Sequence, residues 1–239
     1  MAGSFLTMRI NADRMRDSFI HLASIGATGD GGVSRVTFSE AHLAARTWFR
    51  TESENAGLEF HVDGAGNHSA ILSSDGRVAM HGFRKAYREQ ILLIGSHLDS
   101  VPNGGRFDGA LGVIAALEVL RTVKENGIRL KAKLEAIDFT DEEGTLVGLL
   151  GSAALAGRLH PEELKNPRGG RQNLVEGMRR AGLSEEDIFE AARPKNSLAG
   201  YLELHIEQGK RLERERINVG VVSAIVGIRS YRISFIGRA

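Results

Sequence analysis

Cysteine is absent from all 239 residues. Its absence excludes disulfides, zinc-thiolate sites and thiol nucleophiles, so any metal must be held by histidine and carboxylate. A thiol-free chain suits a reducing compartment, and the expected location is the cytoplasm. A charge excess of either sign is lacking too: 31 Lys and Arg stand against 30 Asp and Glu. With no basic run, neither nucleic acid nor an anionic membrane is an expected partner. No apolar stretch reaches the length that spans a bilayer, and the first residues carry no apolar run behind positive charge. Asn67-His68-Ser69 is a formal glycosylation sequon without an export signal and is read as accidental. Proline is scarce, at four residues, while 42% of the chain is hydrophobic and 26% charged. That balance describes a soluble globular chain able to bury a sizeable core.

What is present concentrates in residues 91–113. Ile91 to Ile94 is a run of β-formers bounded by Gly95, the pattern of a short buried strand. His97 and Asp99 follow, and the two-residue period of an extended chain turns both to one side. A loop with Pro102, Gly104 and Gly105 leads to Asp108, after which Gly109 to Gly127 has helical apolar spacing at Leu111, Ile114, Ala115, Leu117 and Leu120. Asp108 therefore stands where a helix begins, a place for an N-cap or for a ligand. A second strand, Leu130 to Phe139, ends in Thr140-Asp141-Glu142-Glu143-Gly144. Strand, helix and strand make a βαβ unit whose parallel strands end at one edge, and that edge of an open α/β sheet is where ligands bind. It would gather His97, Asp99, Asp108, Asp138, Asp141, Glu142 and Glu143, with Arg106 the one nearby cation in sequence. So many carboxylates cannot all stay ionised in a confined space without protons or metal, and a divalent cation resolves the conflict.

The flanking segments read as scaffold. Asn11 can cap a helix to about Ile25, with Met15, Phe19 and Leu22 at helical spacing. The Thr28–Gly32 loop could cradle an anion but lacks the Gly-Lys-Ser/Thr of a phosphate loop. Ser39 opens a helix that ends near Gly57 and turns Leu43, Trp48 and Phe49 to a core. Leu58–Asp63 and Asn67–Leu72 form a hairpin through Gly64-Ala65-Gly66. His61 alternates with apolar neighbours as a surface strand residue, and His21, His42, His68 and His81 are read likewise. Ser73 to Arg88 is expected to be a turn and a further strand. Leu146 to Ala156 opens a helix, and Pro161 to Arg193 is helical and peripheral, broken at Gly169-Gly170 and restarted at Ser184. In Gly200–Gly209 strand alternation sets Leu202 and Leu204 on one face and Tyr201, Glu203 and His205 on the other. Val219–Val226 and Ser230–Ile236 are two β-like runs. An apolar strand at the end of a chain, with nothing after it to cover it, suggests a fragment.

Four motifs in fixed order carry a resemblance. They are Gly95-Ser-His-Leu-Asp-Ser-Val-Pro-Asn-Gly-Gly-Arg-Phe-Asp-Gly-Ala-Leu-Gly112, Asp141-Glu-Glu-Gly144, Gly151-Ser152 and Glu203-Leu-His-Ile-Glu-Gln-Gly209. Together they resemble the M20 metallopeptidase superfamily, and within it the N-carbamoyl-L-amino-acid hydrolase and allantoate amidohydrolase (hydantoinase/carbamoylase) branch. Ile25–Val33 and Ala65–Asn67 resemble that branch as well, so the likeness covers nearly all of the chain. It implies an α/β, zinc-exopeptidase-like catalytic domain, with a central mixed, largely parallel sheet flanked by helices, over residues 1–220. Residues 221–239 would begin an inserted lid or dimerisation domain. It also implies two divalent ions (zinc, manganese, cobalt or nickel), bridged by Asp108, with His97 and His205 on one and Glu143 on the other. Glu142 would be the general base, Asp99 would orient His97, and Gln208 would touch the substrate. A cis peptide is implied at Asp108-Gly109, and a homodimer for the full-length protein. Two departures stand out: the loop from Gly144 to Gly151 is short and lacks the usual Arg-Phe, and the chain stops before the second metal's histidine.

The chemistry also follows without the family. Two cations roughly 3.5–4 Å apart can share a water, lower its pKa and polarise a carbonyl, while Glu142 lies beside a ligand without being forced to be one. The expected activity is hydrolysis of a linear C–N amide, an N-carbamoyl or ureido group on an amino-acid-like substrate. An aminoacylase or small-peptide hydrolase is the alternative within enzymes, and a non-catalytic binding or assembly protein the alternative outside them. If part of the core lies elsewhere, residues 1–239 expressed alone should aggregate, bind at most one metal tightly and show no turnover of N-carbamoyl amino acids or allantoate. Solubility, metal stoichiometry and turnover check this; a soluble monomer with two tight metals and steady turnover would reverse it.

Overall fold

The computed structural model describes residues 8–73, 90–130, 132–225, 227 and 233–237. Among the described residues five strands, β1 (Glu59–Val62), β2 (His68–Leu72), β3 (Ile91–His97), β4 (Lys133–Phe139) and β5 (Leu198–Leu202), form one sheet in the order β1-β2-β4-β3-β5. The hairpin β1-β2 is antiparallel, β2 lies antiparallel to β4, and β3 runs parallel to both β4 and β5. Only β2 opposes the common direction, so the sheet is mixed and largely parallel. β3 outruns its expected end: Gly95 continues the strand, because a Cβ there would overlap the Ile137 carbonyl of β4. That glycine allows a close approach of two strands rather than ending one.

Helices cover both faces. On one side pack α1 (Ala12–Ser24), α2 (Glu40–Asn55) and α3 (Ala110–Glu125). Asn11 Oδ1 caps α1 by accepting from Arg14 N at 3.0 Å, and Ser39 Oγ caps α2 by accepting from His42 N at 3.2 Å. Their apolar stripes, Leu22, Phe49, Val113, Leu117 and Leu120, bury against Ala70, Leu134 and Ala136 of the sheet. Each large aliphatic side chain fully removed from water there contributes about 1.5–3 kcal/mol. The other face presents Leu93, Ile137 and Phe139 to Leu155 of α4 (Leu150–Leu155). Beyond it, α5 (Pro161–Lys165), α6 (Arg171–Ala181) and a 3-10 turn at Asp187–Ala191 close a second core around Phe38, Leu150, Leu174 and Met178. The segment expected to be peripheral thus has a core of its own. The turn restarted at Ser184 is 3-10 rather than α.

Three further expectations change. His42 is wholly buried, and burial together with the Arg46 charge holds its pKa well below the usual value. Its Nδ1 accepts from Phe38 N at 2.9 Å, which makes it a neutral strut of the core. His68 is half-buried, edge-on to Phe60, and pushed down to about 2 by burial and by Arg46 and Arg50. Val219–Ile225 and Ile233–Ile236 take no strand conformation and are exposed; a strand needs a paired neighbour. The turn and strand expected over Ser73–Arg88, with His81, fall outside the described residues apart from Ser73. By contacts the chain divides at Ile206/Glu207. In the second unit Glu207 accepts from Arg211 N and Leu212 N, at 2.8 and 2.9 Å, at the start of α7 (Arg211–Glu215).

Inside the sheet-helix interface, Arg46 on α2 donates through Nε to Asp138 Oδ2 at 2.9 Å and through Nη2 to Thr140 Oγ1 at 2.8 Å. Both charged side chains are essentially inaccessible. Burial pushes the Asp138 carboxyl up, and the Arg46 charge pulls it back. Removing one partner strands the other without water. Arg46→Ala in the intact protein should therefore cost about 3–5 kcal/mol of stability. Urea denaturation checks it; a loss below about 1 kcal/mol, the range of exposed pairs, would show that the pair is dispensable.

Candidate metal centre

The edge where β3 and β4 end is built by cross-ties. Asp138 Oδ1 accepts from Leu98 N at 2.7 Å, which binds the end of β4 to the chain leaving β3. Asp99 answers in the other direction, accepting from Glu142 N at 3.3 Å and Glu143 N at 3.1 Å. His97 Nδ1 lies 3.0 Å from the Asp99 carbonyl oxygen and 3.5 Å from its carboxylate. His97 and Asp99 thus come together through the local turn that follows β3, not through the strand alternation expected from the sequence, because β3 ends at His97.

His205 arrives from β5. Ile94 of β3 pairs with Leu202 of β5 in parallel register, and three residues onward in the chain stand His97, the last residue of β3, and His205, past the end of β5. Glu203 fastens the exit of β5 by accepting from Ser96 Oγ at 2.5 Å and Tyr201 Oη at 2.9 Å. Gly112 of α3 lets this segment approach, since a Cβ there would lie 2.8 Å from the Leu204 carbonyl oxygen. Asp108 comes from the loop before α3 and is not that helix's N-cap: Gly109, at φ +64°, takes the cap position. The Asp108-Gly109 peptide is trans, as are all peptide bonds among the described residues.

The result is a trio, His97, Asp108 and His205, each offering a ligand atom within 4.8 Å of the others. His205 Nε2 lies 3.1 Å from Asp108 Oδ1, and His205 Nδ1 is 2.8 Å from the Ile206 carbonyl oxygen. A carbonyl only accepts, so the Nδ1 of each histidine holds a proton against one and Nε2 is left for a cation. Two imidazoles and a carboxylate fit a divalent transition ion. Burial would lower the His97 pKa, yet the Asp99 hydrogen bond and charge, with Glu143, outweigh it and raise it to about 9. A cation bound there displaces that proton.

Glu142 and Glu143 stand beside the trio. Burial raises both; Glu142, hydrogen-bonded to Ser152, reaches about 7. Glu143 feels the charges of His97, Asp108 and His205 but is not among the carboxylates within 4.8 Å of them. Asp138 and Asp141, counted with the acidic edge from sequence, have other work. Asp138 belongs to Arg46, and Asp141, at φ +56°, accepts from Leu146, Val147 and Gly148 N at 3.0, 2.6 and 2.9 Å and from Thr37 Oγ1 at 2.8 Å. Arg46 and Arg35 are buried cations that offset the Asp138 charge, and Arg35 faces Asp99 as well. They were missed because they lie far away in sequence. Gln208 lies in the second unit.

Gly109 packs directly against His97. A Cβ would lie 2.5 Å from both Nδ1 and the carbonyl oxygen of His97, at a φ that side chains rarely adopt. Gly109→Ala in the intact protein should displace the His97 ring, cost about 1–3 kcal/mol of stability and weaken zinc binding. Denaturation and zinc titration check this; unchanged values in both would show that the ring is not held against this glycine.

Residues 78–172 match the sequence profile of peptidase family M28. The chain is 36% identical over 232 residues to an N-carbamoyl-L-amino acid amidohydrolase of Geobacillus stearothermophilus, covering 96% of this chain and 54% of that protein. It is 33% identical over 219 residues to an allantoate amidohydrolase of Bacillus subtilis, covering 90% of this chain and 50% of that one. The fold superposes on the crystal structure of a hydantoinase/carbamoylase family amidase from Burkholderia ambifaria with a TM-score of 0.75 and 32% identity, over 87% of this chain and 49% of that one. The chain thus spans about half the length of the curated relatives it matches. With its motifs in order and a fold that superposes on theirs, the chain is similar to amidases of the hydantoinase/carbamoylase family over about half their length.

Proposed function

We propose that the intact protein is a di-metal amidohydrolase that cleaves the C–N bond of N-carbamoyl or ureido groups on amino-acid-like substrates. The observation that carries this reading is the convergence of His97, Asp108 and His205 with the Glu142-Glu143 pair, whose backbone Asp99 holds at the same edge. His97 and His205 would hold one ion, Glu143 the other, and Asp108 would bridge. When bound, such ions supply Lewis acidity toward the carbonyl oxygen and lower the pKa of water. Asp99 keeps His97 oriented and fixes the turn that presents both glutamates. Glu142 takes a proton from the attacking water on a carboxylate oxygen and returns it to the leaving nitrogen, so that the base is regenerated when the C–N bond breaks. Gln208 would meet the substrate. Residues 1–220 form the amino-terminal part of the catalytic domain in this reading, and 221–239 begin a lid or dimerisation domain of a homodimer.

The named activities of the relatives support the ureido substrate class. A second reading, hydrolysis of N-acyl amino acids or small peptides, is favoured by the match of residues 78–172 to a peptidase family. Turnover measured on N-carbamoyl amino acids, allantoate, N-acetyl amino acids and dipeptides separates the two. Glu142→Gln should leave metal content unchanged and lower kcat about 10²-fold or more, whereas Glu143→Gln and His205→Ala should each lower metal content and Asp108→Ala should abolish it. If Glu142→Gln loses metal and Glu143→Gln keeps it, the two roles are exchanged.

A further inference from the structure

Ser152 is the one side chain that hydrogen-bonds the Glu142 carboxylate among the described residues. Its Oγ lies 2.9 Å from each carboxylate oxygen, a placement that the local sequence of α4 does not require. As a helix residue Ser152 could satisfy its hydroxyl on the preceding turn, the usual choice for serine. Here that alternative contact, to the Leu149 carbonyl, is the longer one at 3.4 Å.

The backbone that carries Ser152 is clasped to the end of β4. Gly151 N donates to the Thr140 carbonyl oxygen at 2.8 Å. Asn67, fully buried, donates through Nδ2 to the Gly151 carbonyl oxygen at 3.1 Å and accepts from Thr140 N on Oδ1 at 3.0 Å. Asn67 is itself held by Asp63, whose carboxylate accepts from Asn67 N and Nδ2, both at 2.9 Å. A Cβ on residue 151 would overlap Asn67 Oδ1 and Thr140 N, so only glycine lets the helix start come this close. Thr140 and Glu142 are two residues apart in the tight turn that follows β4. The hydroxyl is therefore fixed relative to the carboxylate by a rigid backbone path, not by a flexible loop.

Resting on the assignment of Glu142 as base, we propose that Ser152 is the positioning residue of that base: its hydroxyl, held by the Asn67–Gly151–Thr140 clasp, keeps the Glu142 carboxylate in one rotamer and apart from the metal ligands. A carboxylate has more lone pairs than one hydroxyl can occupy. Glu142 therefore keeps sites free to accept the proton while one oxygen at a time is tethered. Without the tether the side chain gains rotamers, among them those that bring a second carboxylate onto the cations next to Glu143. Misplacing a reacting group by even 1 Å is costly in rate.

The test uses the intact, metal-loaded protein and an N-carbamoyl amino acid or whichever amide it turns over best. Ser152→Ala should lower kcat about ten- to a hundred-fold, the scale of one hydrogen bond to a charged group, with KM and metal content unchanged. Ser152→Thr, which keeps the hydroxyl, should restore most of the rate. In the Glu142→Gln background, Ser152→Ala should have no further effect, because the two act through one group. Wild-type kcat in Ser152→Ala, or an equal loss in the Glu142→Gln background, overturns the proposal while leaving the base assignment intact. If Glu142→Gln itself keeps full kcat, it is the base assignment that fails. Should Ser152→Ala not fold, Ser152→Cys keeps the volume and weakens the donor; wild-type kcat there also overturns the proposal.

Discussion

The Asp99 carboxylate is the constraint on which the site depends. It is fully buried, and a carboxylate without water must find donors or stay neutral. It finds the backbone of Glu142 and Glu143 in the turn after β4 and the ring of His97 at the end of β3. Burial raises its pKa, but the His97 contact and the Glu143 N–H more than offset this and hold it below the usual carboxylate value. One side chain thereby sets the orientation of one candidate ligand and the position of both glutamates. Without it the ends of β3 and β4 would still be parallel, yet the backbone of the two glutamates would lose its tie to the end of β3.

Charge is handled by a division of labour among the acids of this edge. Asp138 and Asp141 are fully buried and answered from within the protein, the first by Arg46 and Leu98 N, the second by a nest of three backbone N–H groups. Arg35 lies under the same edge, donating to the Leu98 carbonyl oxygen at 2.8 Å, with Asp138 and Asp99 as its opposing charges. Asp108 and Glu143 are less buried than Asp138 and Asp141 and lie nearer the histidines of the trio. In the proposed reading these would take the cation, and the acids of the edge are sorted by burial and partner rather than by residue type.

The two glutamates illustrate how neighbours in sequence come to differ. Successive residues leave a turn in different directions, so Glu142 meets Ser152 of α4 while Glu143 faces the charges of Asp108 and the two histidines. α4 can approach only because Gly151 has no side chain, and Gly109 and Gly112 likewise admit His97 and the His205 segment. The close contacts of the centre are thus made by glycines, and a single added methyl group would disturb each.

Features governed by local chemistry were legible in the sequence. The caps at Asn11 and Ser39, the hairpin through Gly64-Ala65-Gly66, the parallel βαβ unit and the candidate ligands His97, Asp108 and His205 all follow from motif, spacing and turn residues, which act within a few positions. The answering of buried charge was not legible. Asp138 looks like one more acid at a ligand-binding edge until Arg46, 92 residues earlier, is brought against it. His42 and His68 look like surface residues until Phe38 packs beside the first and Phe60 of β1 sits edge-on to the second. His205 had no carboxylate partner in sequence, and parallel pairing of β5 with β3 supplied Asp108. Local pattern decides what a segment can form, because backbone propensity and turn chemistry are short-ranged. Which acids remain for a metal depended on contacts between distant segments, and only the tertiary fold brought them together.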